Sequence, residues 1–124
     1  MSDQNAETVR GAYESFARGD VEGVLGLLAD DVEWTVGPPL PQAMEAHGRD
    51  DVGRFFQKLG STYQELEVEP EDYVASGDRV CVVGNAHGKS DGREVAYGIT
   101  HVWRLADGKA VSFDEYSLPR EGLA

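Results

Sequence analysis

Apolar positions recur with two different periods along this chain. In the first half, three segments place apolar residues at positions i, i+3, i+4 and i+7, a spacing that lays one apolar stripe along an α-helix. From Glu65 onward the period changes to two, which is typical of strands that bury one face. The pattern therefore predicts three N-terminal helices followed by a run of strands. The helical stripes consist of Val9, Ala12, Tyr13 and Phe16, then Val21, Val24, Leu25 and Leu28, then Val52, Phe55, Phe56 and Leu59.

Glycine and proline mark the boundaries between these elements. The stretch Gly37–Gly48 contains three prolines, and proline lacks the N–H that regular structure needs. We therefore predict a long loop there, of a kind that often forms lids or pocket walls. Asp-Gly and Gly-Asp pairs between apolar runs are typical of hairpin turns and separate the later strands. Helices are expected over about 6–18 and 20–29 and from Arg49 onward, and strands over 32–36, 65–76, 79–89, 93–105 and 109–118.

The order of these elements predicts the fold class. Helices first and long strands later indicate an α+β domain, with three helices packed on one face of a mainly antiparallel sheet. Strands of this length must curve, and we expect bends at Gly84, Gly88 and Gly98. A curved antiparallel sheet with helices on its concave face forms a cone. We expect residues 1–124 to form this one domain.

One polar residue, His101, interrupts the most apolar strand face. A buried imidazole is costly unless it is hydrogen-bonded, so this residue needs a partner. With a three-residue loop at 106–108, Trp103 faces Val111 on the next strand. His101 then faces Phe113, and Glu115 lies diagonal to His101. The other residues predicted to share the face of His101 on its strand are Val95, Tyr97, Ile99, Trp103 and Leu105.

A histidine held by a carboxylate is a competent general acid or base, so His101 and Glu115 are the candidate catalytic residues. The alternative is a buried polar pair that only satisfies its own hydrogen bonds. Around this pair, large apolar residues are expected on the concave face. They form either a wall for a flat apolar ligand or ordinary core. The candidate pocket residues are Tyr13, Trp34, Val36, Met44, Phe56, Tyr97, Trp103 and Phe113.

Composition narrows the classes of function. A net charge of −12 and a pI near 4.5 argue against nucleic acid or an anionic membrane as partner. The single cysteine, Cys81, lies in an apolar run and is expected to behave as a small buried hydrophobic residue. No charged-then-apolar leader and no apolar stretch of about 20 residues is present, which predicts a cytoplasmic protein.

Metal and cofactor chemistry receive no support from the sequence. The histidines His47, His87 and His101 have no carboxylate or cysteine partner at metal-ligand spacing. No glycine-rich phosphate loop or nucleophile elbow occurs. We therefore expect neither a metal nor a cofactor.

Six short phrases follow one another in an order that resembles a known superfamily. They are Tyr13–Asp20, Leu28–Trp34, Gly48–Phe56, His101–Leu105, Asp107–Lys109 and Phe113–Tyr116. With them the chain resembles the nuclear transport factor 2-like superfamily, and within it the SnoaL-like polyketide cyclases and the relatives of ketosteroid isomerase. The resemblance implies the cone-shaped fold, an internal ligand pocket and a homodimer formed through the outer face of the sheet.

The catalytic residues of these relatives do not transfer to this chain. The general-base aspartate of the isomerase falls at Val36, and its protonated aspartate falls at His101. The tyrosine of its oxyanion hole falls at Ala12, and the tyrosine supporting that group falls at Phe56. The aspartate that many SnoaL-like chains carry falls at Leu118. The resemblance therefore predicts a pocket and leaves its chemistry open.

Three functions remain open at this point. The first is a cofactor-independent acid–base isomerase, cyclase or hydrolase acting on an apolar metabolite that is carbonyl-bearing or polycyclic. The second is a module that binds a small hydrophobic molecule without turnover. The third is an interaction protein whose cavity is filled by its own side chains. The missing aspartates favour the second and third, and His101 with Glu115 favours the first.

Overall fold

A computed structural model of the chain describes residues 2–38, 40, 42–116 and 118–121. The described residues form three helices and seven strands, which confirms the predicted α+β class. Asp20 caps the second helix, because its carboxylate accepts a hydrogen bond of 2.9 Å from the backbone N–H of Gly23. In chain order the elements are α1 (Ser2–Ala17), α2 (Val21–Leu25), β1 (Leu28–Val36), β2 (Met44–His47), α3 (Arg49–Thr62), β3 (Glu65–Ser76), β4 (Arg79–Ser90), β5 (Arg93–Ala106), β6 (Lys109–Glu115) and β7 (Leu118–Glu121).

The strands form a curved, unclosed sheet in the order β2-β1-β6-β5-β4-β3, and β7 pairs with β5 outside this path. The strand pairs are antiparallel with one exception among the described residues, the parallel pair of β1 with β6. The described sheet is therefore mainly antiparallel, as predicted, with one parallel pair. A parallel pair needs a long crossover, which here is provided by residues 37–108.

Two boundaries in the first half differ from the prediction. Helix α2 ends at Leu25 and not near residue 29, because Leu28 already pairs with β6. Strand β2 lies inside the region predicted as a loop, because it pairs with β1, for example Met44 with Val36. Positions 39 and 41 of the predicted loop lie outside the described residues.

The last hairpin closes through a two-residue loop, so the predicted three-residue loop and its register are wrong. Asp107 and Gly108 both have positive φ, at 52° and 79°, which is the backbone conformation of a type I′ turn. Beyond the turn, a bulge at Val111 shifts the pairing by one residue. Glu115 therefore lies directly opposite His101. Strand β6 ends there, before the predicted end at residue 118.

Two glycines of β4 lie unusually close to the neighbouring strand. A Cβ atom on Gly84 would overlap the carbonyl oxygen of Glu69, and one on Gly88 would overlap the carbonyl oxygen of Glu65. Any other residue would force β3 and β4 apart, which explains why glycine occupies both positions. The bend expected at Gly98 stays a prediction.

The residues predicted to share one face of β5 are buried together. Exposure alternates along this strand, and every second residue from Val95 to Leu105 is buried, including His101. Helix α1 packs against β3 and β4, and α3 packs against β1 and β2. Among the described helices, none has the length and apolar character to cross a membrane. The core therefore lies between the helices and the sheet, around the inward face of β5.

Cys81 lies on the other side of the sheet. Its neighbours Val80 and Val82 are buried, so the side chain between them points to the outer face and is half-buried. The expectation of a buried cysteine is wrong, because the apolar run around it is a strand with two differently exposed faces.

Candidate functional site

Three aromatic residues from adjacent strands form one row across the concave face. Trp34 of β1 pairs in register with Phe113 of β6, and Phe113 pairs with Trp103 of β5. The rings of Trp34 and Phe113 stack, with centroids 3.9 Å apart and planes 19° from parallel. Trp103 meets Phe113 edge-on, at 4.7 Å and 70°. The row gives the floor of the cone a rigid aromatic surface.

His101 and Glu115 form the neighbouring row. Nε2 of the imidazole lies 3.1 Å from Oε2 of the carboxylate, and each residue is only 6% exposed. The separation is that of an ion pair, but Nε2 has no acceptor in hydrogen-bond geometry. The carboxylate therefore lies off the axis of the ring N–H, so the contact is close but is not a hydrogen bond.

Tyr13 of α1 forms a hydrogen bond with Nδ1, the other ring nitrogen of His101. Its hydroxyl lies 2.5 Å from Nδ1 of His101 and accepts a 3.0 Å hydrogen bond from Nε1–H of Trp103. An indole nitrogen can only donate, and a hydroxyl that accepts from it still has a proton to donate, so we assign the Tyr13 hydroxyl as the donor to Nδ1. This assignment places the ring proton on Nε2, beside the carboxylate of Glu115, which favours that tautomer.

The Tyr13 hydroxyl stays protonated in this setting. Burial raises its pKa well above the ordinary value, the hydrogen bond from Trp103 opposes that rise, and the charge of Glu115 adds to it. Part of the Tyr13 residue is exposed, but its hydroxyl lies at the enclosed end, between Trp103 and His101. Tyr13 is therefore a hydrogen-bond donor and not a base.

A second polar group is centred on Gln42. The amide of Gln42 donates to the hydroxyl of Tyr97 at 3.3 Å and accepts from the hydroxyl of Tyr63 at 2.7 Å. Gln42 is 1% exposed. Burial raises the pKa of Tyr97 far above its ordinary value, and the negative charge of Glu115 adds to the shift. The pKa of Tyr63 is raised by the same two causes. The carboxylate of Glu115 therefore lies close enough to raise the pKa of both tyrosines.

A cavity of about 70 Å³ lies above these residues. Its wall is mainly aromatic and aliphatic, and His101, Glu115 and Gln42 contribute polar groups. Of the candidate pocket residues, Val36 and Met44 do not line it, so these two predictions are wrong; the two residues pair with each other in the ladder between β1 and β2. The candidates that do line it are Tyr13, Trp34, Phe56, Tyr97, Trp103 and Phe113.

Sequence reasoning missed Gln42 and Tyr63. Gln42 lies in the proline-rich stretch, where no periodic pattern indicates whether a side chain points inward. Tyr63 follows the last turn of α3 and is 5% exposed. Gln42, directly after Pro41, gave no signal, but Tyr63 lies four residues after Leu59, the last residue of the third apolar stripe, and could have been assigned to the core.

His47 and His87 have carboxylate partners, so the prediction that these two histidines have none is wrong. His47 contacts Glu33. Nε2 of His87 lies 3.4 Å from Glu67 and 3.3 Å from Glu69. These residues come together through strand pairing, which residue spacing alone did not reveal. Glu67, Glu69 and His87 lie close enough to share a metal ion, but all three are exposed, and none of them lines the cavity.

Comparison with known proteins places this geometry in a family. The sequence profile of the SnoaL-like domain matches residues 9–113. No curated protein sequence matches the chain. A nuclear transport factor 2-like protein of unknown function from Burkholderia pseudomallei is 35% identical, with 91% of this chain and 89% of that chain covered and a TM-score of 0.85.

Two further crystal structures are similar over nearly the whole length. TerC, co-crystallised with polyporic acid, is 25% identical, with 91% and 90% of the two chains covered and a TM-score of 0.84. A nuclear transport factor 2-like protein from Burkholderia xenovorans is 28% identical, with 95% and 92% covered and a TM-score of 0.84. The chain belongs to the SnoaL-like domain family, within the nuclear transport factor 2-like superfamily.

Proposed function

We propose that this protein is a cofactor-independent acid–base enzyme that moves a proton next to the carbonyl group of a small ring substrate. The observation that carries the proposal is the buried contact of 3.1 Å between His101 and Glu115 in the wall of an apolar cavity. Titratable pairs enclosed in such cavities are frequent sites of acid–base chemistry.

His101 acts in this proposal as the hydrogen-bond donor to the substrate carbonyl. Its Nδ1 is held by Tyr13, and its Nε2–H meets no acceptor in hydrogen-bond geometry. A neutral imidazole can polarise a carbonyl in this way, and it needs no reorganisation when charge develops on the oxygen. The donor at Nδ1 keeps the ring in the required tautomer.

Glu115 acts as the general base. It takes the proton from the carbon next to the carbonyl, the electron pair of that C–H bond moves into an enolate, and the oxyanion accepts the hydrogen bond from His101. In a β,γ-unsaturated ketone, Glu115 then returns the same proton to the γ carbon, which leaves the conjugated isomer. Atoms and electrons balance without a cofactor. A positioned base of this kind contributes about 10²–10⁴-fold to the rate.

The size of the cavity limits the substrate. An apolar protein cavity of about 150 Å³ binds benzene, whereas the space here is about 70 Å³. A ring of five or six atoms therefore requires a shift of wall residues such as the half-buried Phe56. A polycyclic substrate requires a much larger opening. The relative TerC was co-crystallised with polyporic acid, which supports an organic ligand for this chain as well.

The proposal is tested with cyclopent-3-en-1-one, a small ketone with acidic protons between its carbonyl and its alkene. Wild-type protein in deuterium oxide should exchange these protons and form cyclopent-2-en-1-one, followed by NMR and ultraviolet absorbance. Glu115→Gln should lower the rate about 10²–10⁴-fold. His87→Gln, on the exposed face of the sheet, should leave it unchanged. Equal rates with Glu115→Gln and wild type would contradict the proposal.

A binding module without turnover is the second candidate, and the missing aspartates favour it. The aspartates of the related enzymes fall at Val36 and Leu118 in this sequence. A binding module would take up the ketone without exchanging its protons, so the same NMR experiment separates the two candidates.

A further inference from the structure

We infer that Trp34 is a specificity-determining residue whose indole N–H selects ligands with an acceptor oxygen over hydrocarbons of the same shape. The inference deepens the proposed function, because it names the ligand class of the same cavity. It rests on that proposal only for the location of the ligand, and binding alone tests it.

The indole nitrogen of Trp34 is a buried donor without a partner among the described residues. The residue is 3% exposed and lines the cavity, and its Nε1 forms no hydrogen bond. Buried N–H groups nearly always have a partner, and an unpaired one marks a place where a ligand or water completes the site. The structure offers the cavity itself as the place for that partner.

The ring of Trp34 is fixed, so it cannot easily turn toward another acceptor. It stacks on Phe113 at 3.9 Å and contacts Phe55 at 5.7 Å between ring centroids. Turning the indole would break the stack, which an aromatic row of this kind opposes. The donor is therefore preorganised, and a ligand oxygen does not have to order it on binding.

Trp103 lies in the same aromatic row as Trp34 but differs from it in having an acceptor for its indole N–H. Its Nε1–H is used in the 3.0 Å hydrogen bond to Tyr13, so this second indole has no donor left for a ligand. Both tryptophans line the cavity, but of these two indole donors only that of Trp34 has no acceptor among the described residues. We therefore expect the indole N–H of Trp34 to respond to a ligand oxygen and that of Trp103 not to respond.

The position of Trp34 in the sheet indicates what kind of oxygen it holds. Trp34 is paired with Phe113, and Glu115 and His101 form the adjacent row. Nε2 of His101 is the other buried nitrogen without an aligned acceptor. A carbonyl oxygen has two lone pairs, the number needed to accept from two such donors. The ligand class is thus a small cyclic ketone or enone.

The test compares cyclopentanone with methylenecyclopentane, which replaces C=O by C=CH₂ with little change of shape. Both probes require the same enlargement of the cavity, so the free energy of that enlargement cancels when their affinities are compared. The chain has two tryptophans and gives two indole N–H signals in a ¹H–¹⁵N spectrum, which Trp103→Phe assigns. Cyclopentanone should move the Trp34 signal downfield, and methylenecyclopentane should not.

Affinities from the same titrations complete the test. Wild type should prefer the ketone about five- to tenfold more strongly than Trp34→Phe does, the net value of one hydrogen bond, and the control His87→Gln, outside the cavity, should keep the wild-type preference. Trp34→Phe keeps an aromatic ring on Phe113, and its remaining preference for the ketone is that supplied by the donor of His101. An unchanged preference in Trp34→Phe would overturn the inference and leave the proposed function intact. A normal preference without any proton exchange would contradict the proposed function and support the inference.

Discussion

The hydroxyl of Tyr13 lies 2.5 Å from Nδ1 of His101, although 88 positions separate the two residues in the chain. Helix α1 thereby fixes the tautomer of an imidazole that belongs to β5. The same hydroxyl accepts from Trp103, so the contact links the packing of the first helix to the protonation of the candidate site.

Tyr13→Phe should weaken both the fold and the site. The change leaves Nδ1 of His101 and Nε1–H of Trp103 without their partner, and buried polar groups left unpaired cost about 1–3 kcal/mol. We expect the free energy of unfolding in urea to fall by that amount. Tyr73→Phe is the control, because the half-buried Tyr73 contacts Tyr13 only through its ring edge. Equal stability of Tyr13→Phe and wild type would show that the hydroxyl contributes nothing.

Stability should fall on the alkaline side of pH 10. Burial raises the pKa of Tyr13 and of Tyr97 above the ordinary value, whereas the unfolded chain releases these protons near about pH 10. Below that pH both states stay protonated and the stabilisation is complete. Above it the unfolded state binds fewer protons, so the free energy of unfolding decreases as the pH rises toward the folded pKa values.

This pH dependence is measured by urea unfolding at a series of alkaline pH values, with phenolate absorbance as a second signal. Tyr97→Phe should show a shallower decrease than wild type, because one shifted group is gone. We expect the phenolates of Tyr13 and Tyr97 to appear together with unfolding. Their gradual appearance while the protein is still folded would contradict the burial argument.

Gly88→Ala should destabilise the sheet. A Cβ at this position would overlap the carbonyl oxygen of Glu65, and backbone cannot move aside as a flexible side chain can. Overpacking of this kind costs about 1–3 kcal/mol. Gly11→Ala is the matched control, since a Cβ at Gly11 meets no atom within 4 Å and alanine favours a helix. Thermal unfolding should show a lower Tm for Gly88→Ala and an equal or higher Tm for Gly11→Ala.

The periodic patterns were sufficient to predict the elements and the inward face of β5. Alternation from Val95 to Leu105 places His101 on the buried face without any knowledge of the fold, because side chains in a strand alternate strictly. The register of the last hairpin was not predictable in the same way. An Asp-Gly pair is compatible with loops of different length, and the bulge at Val111 is specified by no local pattern.

Contacts between distant elements account for the rest of what the sequence did not reveal. The bond from Tyr13 to His101 depends on how α1 lies across the sheet, and the parallel pairing of β1 with β6 depends on the crossover between them. Gln42 enters the cavity from a stretch without periodicity. Such features arise from tertiary packing, which cannot be read from residue propensities or from the spacing of residues along the chain.

Glu115→Gln is the most direct test of the central claim that a buried carboxylate serves as general base. The substitution keeps the shape of the side chain and removes its charge beside His101. The rate of deuterium exchange of cyclopent-3-en-1-one should fall about 10²–10⁴-fold, with the ketone still bound and the fold intact by circular dichroism. An unchanged exchange rate in a folded, ketone-binding Glu115→Gln protein would contradict the claim.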